Sequence, residues 1–167
     1  MRTLIVYHSR TGVTERLVRA VGEELEHGGH KVEYHKLEPA RQLGYLGAGW
    51  AAFRKREAEL KAGLPKALRT YELVLVAGPV HAGRTSAELN TFLNNMPDGI
   101  GRRFGVFATM GGGNPEGQMK SIKTRVEKAG GMIVYEDAVR KEVIMNPDQL
   151  GARARNIAEQ LLRPWVW

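Results

Sequence analysis

Short apolar runs alternate with amphipathic stretches along the whole chain, and that alternation restricts the fold more than any other feature of the sequence. Leu4-Ile5-Val6, Leu73-Val74-Leu75-Val76-Ala77 and Val106-Phe107-Ala108, within the run from Phe104, are continuous and β-branched or aromatic. Such runs read as strands covered on both faces, as in a parallel sheet. Lys31-Val32-Glu33-Tyr34-His35 alternates polar with apolar, so one of its faces is wet, as expected of an edge strand. Gly131-Met132-Ile133-Val134-Tyr135 completes a set of five. Between these runs, Val13, Leu17, Val21 and Leu25 recur at helical spacing, and Gly28-Gly29 ends that helix. Leu46, Trp50, Phe53 and Leu60 form a second stripe beside Arg54-Lys55-Arg56. Leu89, Phe92 and Leu93 mark a third helix, capped by Ser86, and Met119, Ile122 and Val126 a fourth. The fifth carries Leu150, Ala154, Ile157 and Leu161, with Asn146 as N-cap and Pro147 at the first helical position.

Five strands alternating with five helices predict an α/β fold, a doubly wound five-stranded parallel sheet with helices on both faces. The edge-like second strand selects the order 2-1-3-4-5. The 167 residues read as a single domain, 1–167, with no repeat or linker. In such sheets ligands bind beyond the carboxyl ends of the strands, at the switch point between the first and third. The loops 8–14, 78–86 and 109–117 are therefore the candidate site.

Composition narrows the chemistry. The absence of cysteine excludes a disulfide framework, a thiolate zinc site and a cysteine nucleophile. The apolar runs fall far short of the ~20 residues that span a bilayer, and Met1–Tyr7 is too short for a signal peptide. A cytoplasmic protein without membrane insertion is expected. Of the net charge of +7, most is local: residues 41–69 hold seven basic side chains and two acidic ones. A local patch suggests a docking face, and without interleaved aromatics it does not suggest nucleic acid.

In the first loop, hydroxyls at Ser9, Thr11 and Thr14 surround Gly12 where a helix presents its unpaired N–H groups. A dianionic phosphate needs several short donors, a positive dipole end and close backbone approach. One hydroxyl would suffice for capping; three around a glycine exceed it. Other readings lack residues they require. Gly78-Pro79-Val80-His81-Ala82-Gly83-Arg84-Thr85 nearly spells a P-loop, but arginine stands where the lysine must be. A receiver domain needs an acidic cluster where His8-Ser9 stands, and a G-x-S-x-G elbow is absent. His27, His30 and His35 fall on a helix end, a turn and an edge strand, and read as surface histidines rather than metal ligands.

Ser9-Arg10-Thr11-Gly12-Val13-Thr14 matches the S/T-x-T-G-x-T loop of the flavodoxin family, which this chain resembles over essentially its whole length. Gly78-Pro79-Val80-His81-Ala82-Gly83 follows the third strand as that family's loop does. Thr109-Met110-Gly111-Gly112-Gly113-Asn114 ends the fourth strand in the same style. The resemblance implies flavin mononucleotide (FMN) as cofactor, with Ser9, Arg10, Thr11, Gly12, Val13 and Thr14 at its phosphate. It places Pro79, Val80, His81, Ala82, Gly83, Thr109, Met110, Gly111, Gly112, Gly113 and Asn114 around the ring, with the Gly83 carbonyl able to turn toward N5–H of a half-reduced flavin. His81 stands where relatives often have tryptophan; imidazole stacks over less area and can carry charge. Arg10, Arg84 and the basic surface are expected to favour the reduced, negatively charged flavin.

Three functions follow as expectations. The first is an FMN redox protein carrying electrons between a donor and an acceptor, docking an acidic redox partner near residues 41–69. The second is a flavin-dependent reductase of quinones or a similar small acceptor, driven by NAD(P)H or a protein donor. The third is a flavin-free interaction module. The indoles of Trp165 and Trp167 close the core or meet a second subunit.

Overall fold

A computed structural model describes residues 1–40 and 57–164. Five parallel strands, β1 (Arg2–Tyr7), β2 (Lys31–Lys36), β3 (Leu73–Pro79), β4 (Arg103–Met110) and β5 (Met132–Arg140), form one sheet in the order 2-1-3-4-5. This is the expected topology. Among the described residues the helices are α1 (Val13–His27), α2 (Ala87–Asn94), α3 (Glu116–Lys128), the short α4 (Lys141–Met145) and α5 (Pro147–Leu162).

The central strands are apolar throughout because both their faces are covered. Ile5, Tyr7, Leu73, Leu75, Ala77 and Phe107 point to one side, against Leu17, Val21 and Leu25 of α1 and Leu150, Ala154 and Ile157 of α5. Leu4, Val6, Val74, Val76, Phe104 and Val106 point to the other, against Leu89, Phe92 and Leu93 of α2 and Ile122 and Val126 of α3. Among the described residues β2 pairs with β1 alone, and exposed and half-buried residues alternate from Lys31 to Tyr34, as an edge strand should. The expected caps form: Leu89 N–H donates to Ser86 Oγ at 3.3 Å, and Gln149 N–H to Asn146 Oδ1 at 3.1 Å. Gly29 follows α1 in a left-handed conformation, φ +80°.

Two elements differ from expectation. β5 runs on past Tyr135 to Arg140, pairing with β4 as far as Met110↔Arg140, and a register shift between Phe104 and Gly105 leaves Val134 of β5 without a paired residue. The short α4 then leads into α5, an element the apolar spacing did not signal. Of the second helical stripe, Leu46, Trp50 and Phe53 lie outside the described residues, as do Arg54-Lys55-Arg56 and the indoles of Trp165 and Trp167. Leu60 is described, and bridges antiparallel to Pro39.

Candidate functional site

The three loops meet at the carboxyl edge of β1, β3 and β4. Gly12 caps α1 in a left-handed conformation, φ +84°, with nothing within 4 Å of where a Cβ would stand. An L-residue would be strained there, and glycine leaves the space before the helix end clear. Ser9 does cap: its Oγ accepts from the Glu15 amide at 3.2 Å, although its hydroxyl proton remains available to a ligand. Thr14 is buried, and its Oγ1 lies 2.6 Å from Thr109 Oγ1 at the end of β4. Arg10, Thr11 and Gly12 are exposed and Val13 half-buried. Of the three hydroxyls, Thr11 thus faces outward, Ser9 serves the helix and Thr14 ties two loops together.

The loop after β3 is a tight hairpin. His81 N–H donates to the Arg84 carbonyl at 3.0 Å and Arg84 N–H to the His81 carbonyl at 2.9 Å, closing a two-residue turn on Ala82 and Gly83. Both turn residues have positive φ, +48° at Ala82 and +73° at Gly83, as a type I′ turn requires. An alanine there carries strain of about 1 kcal/mol. Val80 N–H donates to the Thr109 carbonyl at 2.9 Å, fastening this loop to β4. The Gly83 carbonyl faces α3, where a Cβ on Gly117 would fall 2.7 Å from its oxygen.

In the third loop Gly111, Gly112 and Gly113 are exposed, and a Cβ on any of them would meet nothing within 4 Å. Asn114 turns to its own helix, its Oδ1 accepting from the Glu116 amide at 2.9 Å. Met110 is buried as the last residue of β4, so its side chain does not share the openness of the glycines after it. A cavity of about 270 Å³ opens beside the hairpin, lined by Ala82, Gly83, Arg84, Thr85, Gly117 and Ser121.

Charge around the hairpin is arranged by residues whose place the sequence did not single out. His8, 6 % exposed, stands at the end of β1 with Nδ1 2.9 Å from the Leu37 carbonyl and Nε2 3.5 Å from Glu88 Oε2. The signal was the alternation Leu4, Val6, His8, which aims the ring at α2. Burial holds the His81 imidazole below the usual histidine range, with the charges of His8 and Arg10 acting in the same sense and Glu88 opposing them. His81 is accordingly a neutral imidazole at neutral pH. Gln118, fully buried on α3, donates to the Gly78 carbonyl at 3.1 Å and braces the end of β3. On the far side of β1, Tyr7 donates to Glu15 at 2.8 Å, and burial with that carboxylate lifts the phenol to about 12.

A doubly wound 2-1-3-4-5 sheet with a hydroxyl- and glycine-lined loop after β1 defines the class of flavodoxin-like flavoproteins. The model of the NADPH-dependent FMN reductase family matches residues 1–139, and the chain belongs to that family. FMN is its cofactor. The cleared space before Gly12 and along Gly111–Gly113 fits a thin ring and its phosphate, which need close backbone approach. A curated relative, an NAD(P)H dehydrogenase (quinone) of Archaeoglobus fulgidus, is 26% identical over 95 residues. The match covers 56% of this chain and 50% of the relative, so the chain aligns with about half of that protein's length. Among solved structures, a WrbA-like flavodoxin from Agrobacterium tumefaciens superposes with a TM-score of 0.67 at 20% identity, covering 96% of this chain and 94% of that one. Oxidised flavodoxin 1 of Bacillus cereus gives 0.69 at 11% identity, covering 97% of each. At those identities the likeness is one of fold. Among the described residues no helix is long and apolar enough to cross a membrane.

Proposed function

We propose that this flavin-dependent redox protein is a reductase, taking electrons from a reduced nicotinamide and delivering them to a small acceptor of the quinone class. The observation that carries the reading is the cavity beside the hairpin, which offers a second, flat ligand a place next to the ring loop. Family membership and the quinone-dehydrogenase relative support it. When bound, FMN supplies the redox step, accepting a hydride equivalent and passing it on. Residues 9–14 would hold its phosphate, and Pro79–Gly83 with Thr109–Asn114 would flank its ring. The Thr14–Thr109 and Val80–Thr109 bonds keep those loops in register. Arg84 and the hydroxyls of Thr85 and Ser121 would meet the polar rim of the second ligand. The balance is one reduced nicotinamide, one proton and one quinone giving oxidised nicotinamide and hydroquinone.

The carrier reading, in which the protein shuttles electrons to an acidic partner protein, is favoured by a different observation. Lys61, Lys66 and Arg69, the described cations of the basic segment, are all exposed. Anaerobic NADPH oxidation with a benzoquinone separates the two. The reductase reading expects quinone-dependent turnover well above that of free FMN. NADPH that fails to bleach the bound flavin, while a reduced protein donor does, overturns it in favour of the carrier.

A further inference from the structure

The cavity beside the hairpin has a wall whose hydrogen-bonding capacity is set by residues behind it. Asn90, fully buried on α2, has its Oδ1 2.8 Å from Arg125 Nη1 of α3 and 2.5 Å from Thr85 Oγ1. A guanidinium can only donate, so the atom facing Arg125 is the amide oxygen. That oxygen can only accept, so the single proton of the Thr85 hydroxyl is committed to Asn90. Thr85, itself 3% exposed, therefore brings to the cavity a hydroxyl that can only accept. Gly83 adds a second acceptor. Its carbonyl oxygen faces Gly117, which lines the cavity too, and lies 2.7 Å from where a Cβ there would stand. Arg84, between the two in sequence, is a pure donor. Three consecutive lining residues thus set an acceptor, a donor and an acceptor at one cavity.

We propose that this pattern recognises a primary carboxamide, the polar end of the reduced nicotinamide, with Thr85 as a specificity-determining residue for the electron donor. The amide oxygen accepts from Arg84, and the two hydrogens of its NH2 go to the Gly83 carbonyl and to Thr85 Oγ1. A quinone has no hydrogen to give. In the same cavity it accepts from Arg84 or the Ser121 hydroxyl and leaves both acceptors without partners, a cost the amide avoids. A carboxylate fails in the same way. Asn90 and Arg125 are positioning residues: they act through Thr85 by fixing where its proton lies. The inference rests on the reductase reading, in which nicotinamide and quinone use the cavity in turn.

The experiment follows bleaching of the flavin-loaded protein by stopped flow and reads apparent dissociation constants for two donors. One is NADPH; the other is its reduced 3-acetylpyridine analogue, in which a methyl group replaces the NH2. Wild type, Thr85→Val and Thr85→Ser are compared. In the wild type NADPH is expected to bind roughly tenfold more tightly than the analogue. That ratio should shrink roughly threefold in Thr85→Val, which removes one acceptor, and return in Thr85→Ser, which keeps it. Lost packing alone weakens both donors alike and leaves the ratio where it was. The urea midpoint reports whether each variant folds, and the wild-type comparison decides even where Thr85→Val does not. Equal affinities in the wild type, a ratio unmoved by Thr85→Val, or a fall that Thr85→Ser does not restore overturns the inference while the reductase reading stands. NADPH that never bleaches the flavin overturns that reading and this inference with it.

Discussion

Thr14 and Thr109, 95 residues apart in sequence, share a buried hydrogen bond of 2.6 Å that ties the first turn of α1 to the end of β4. The bond joins the loop proposed to seat the phosphate to the strand that launches the glycine loop. Replacing Thr14 by Val leaves the Thr109 hydroxyl buried without its partner and should cost about 1–2 kcal/mol in urea unfolding. Adding Thr109→Val removes the orphaned group, so the double variant should recover part of the loss. Strictly additive losses would show that the two hydroxyls do not act as a pair.

Gly12 combines φ +84° with empty space around the position of a Cβ. Gly12→Ala meets no clash, so its stability cost should be limited to left-handed strain, about 1 kcal/mol. The methyl group would project into the space proposed for the phosphate. FMN affinity should therefore fall by more than the change in stability accounts for, as equilibrium titration would read. Unchanged affinity would move the phosphate elsewhere.

The sheet order and the positions of the helix caps were legible because each depended on local, periodic signals. β2 showed its edge position by alternation, and Asn146-Pro147 marked the start of α5. The three loops were legible as a group because the strand order brings them to one edge. Which hydroxyl does what was not. Ser9 turns back on the Glu15 amide and Thr14 onto Thr109, partners fixed only once α1 and β4 are packed. The length of β5 was hidden because Glu136-Asp137-Ala138-Val139-Arg140 lacks the apolar run that marked the other strands, although it pairs with β4 throughout. His8 looked like the start of a loop, since the carboxylate that completes it lies on a helix 80 residues further on.

Burial, the charge of His8 and that of Arg10 hold His81 below its ordinary range in the folded state. In the unfolded chain it titrates near ~6.5. Between the folded and unfolded values the unfolded chain binds more protons, so stability rises with pH across that window. The contribution is complete above about pH 6.5 and is lost as pH falls toward the folded value. His81→Gln should flatten this part of the profile of urea midpoint against pH. A wild-type slope that survives the substitution would assign it to another group.

Exposed Lys61, Lys66 and Arg69 give the described part of the basic segment a surface on which salt acts strongly. If an acidic redox protein docks there, transfer rates should fall several-fold between low and physiological ionic strength. Charge reversal at Lys61 and Lys66 should weaken the dependence. Stopped-flow reduction with an acidic donor protein measures both, and a rate indifferent to salt removes the docking face.

Gly117 and Gly111 make opposite predictions for one added methyl group. At Gly117 the Cβ would lie 2.7 Å from the Gly83 carbonyl oxygen, a backbone atom held by the His81–Arg84 turn. At Gly111 it meets nothing within 4 Å. Gly117→Ala should therefore displace the hairpin and narrow the cavity beside it. Because the loop proposed for the phosphate is untouched, its effect should appear mainly as a raised KM for the proposed quinone acceptor, with FMN affinity changed far less. Gly111→Ala should leave stability within about 0.5 kcal/mol of wild type and instead weaken FMN, since that open face is the one proposed for the ring. Steady-state kinetics beside flavin titration resolves the two, and a Gly117→Ala protein that loses FMN while keeping its quinone KM would place the second ligand outside this cavity.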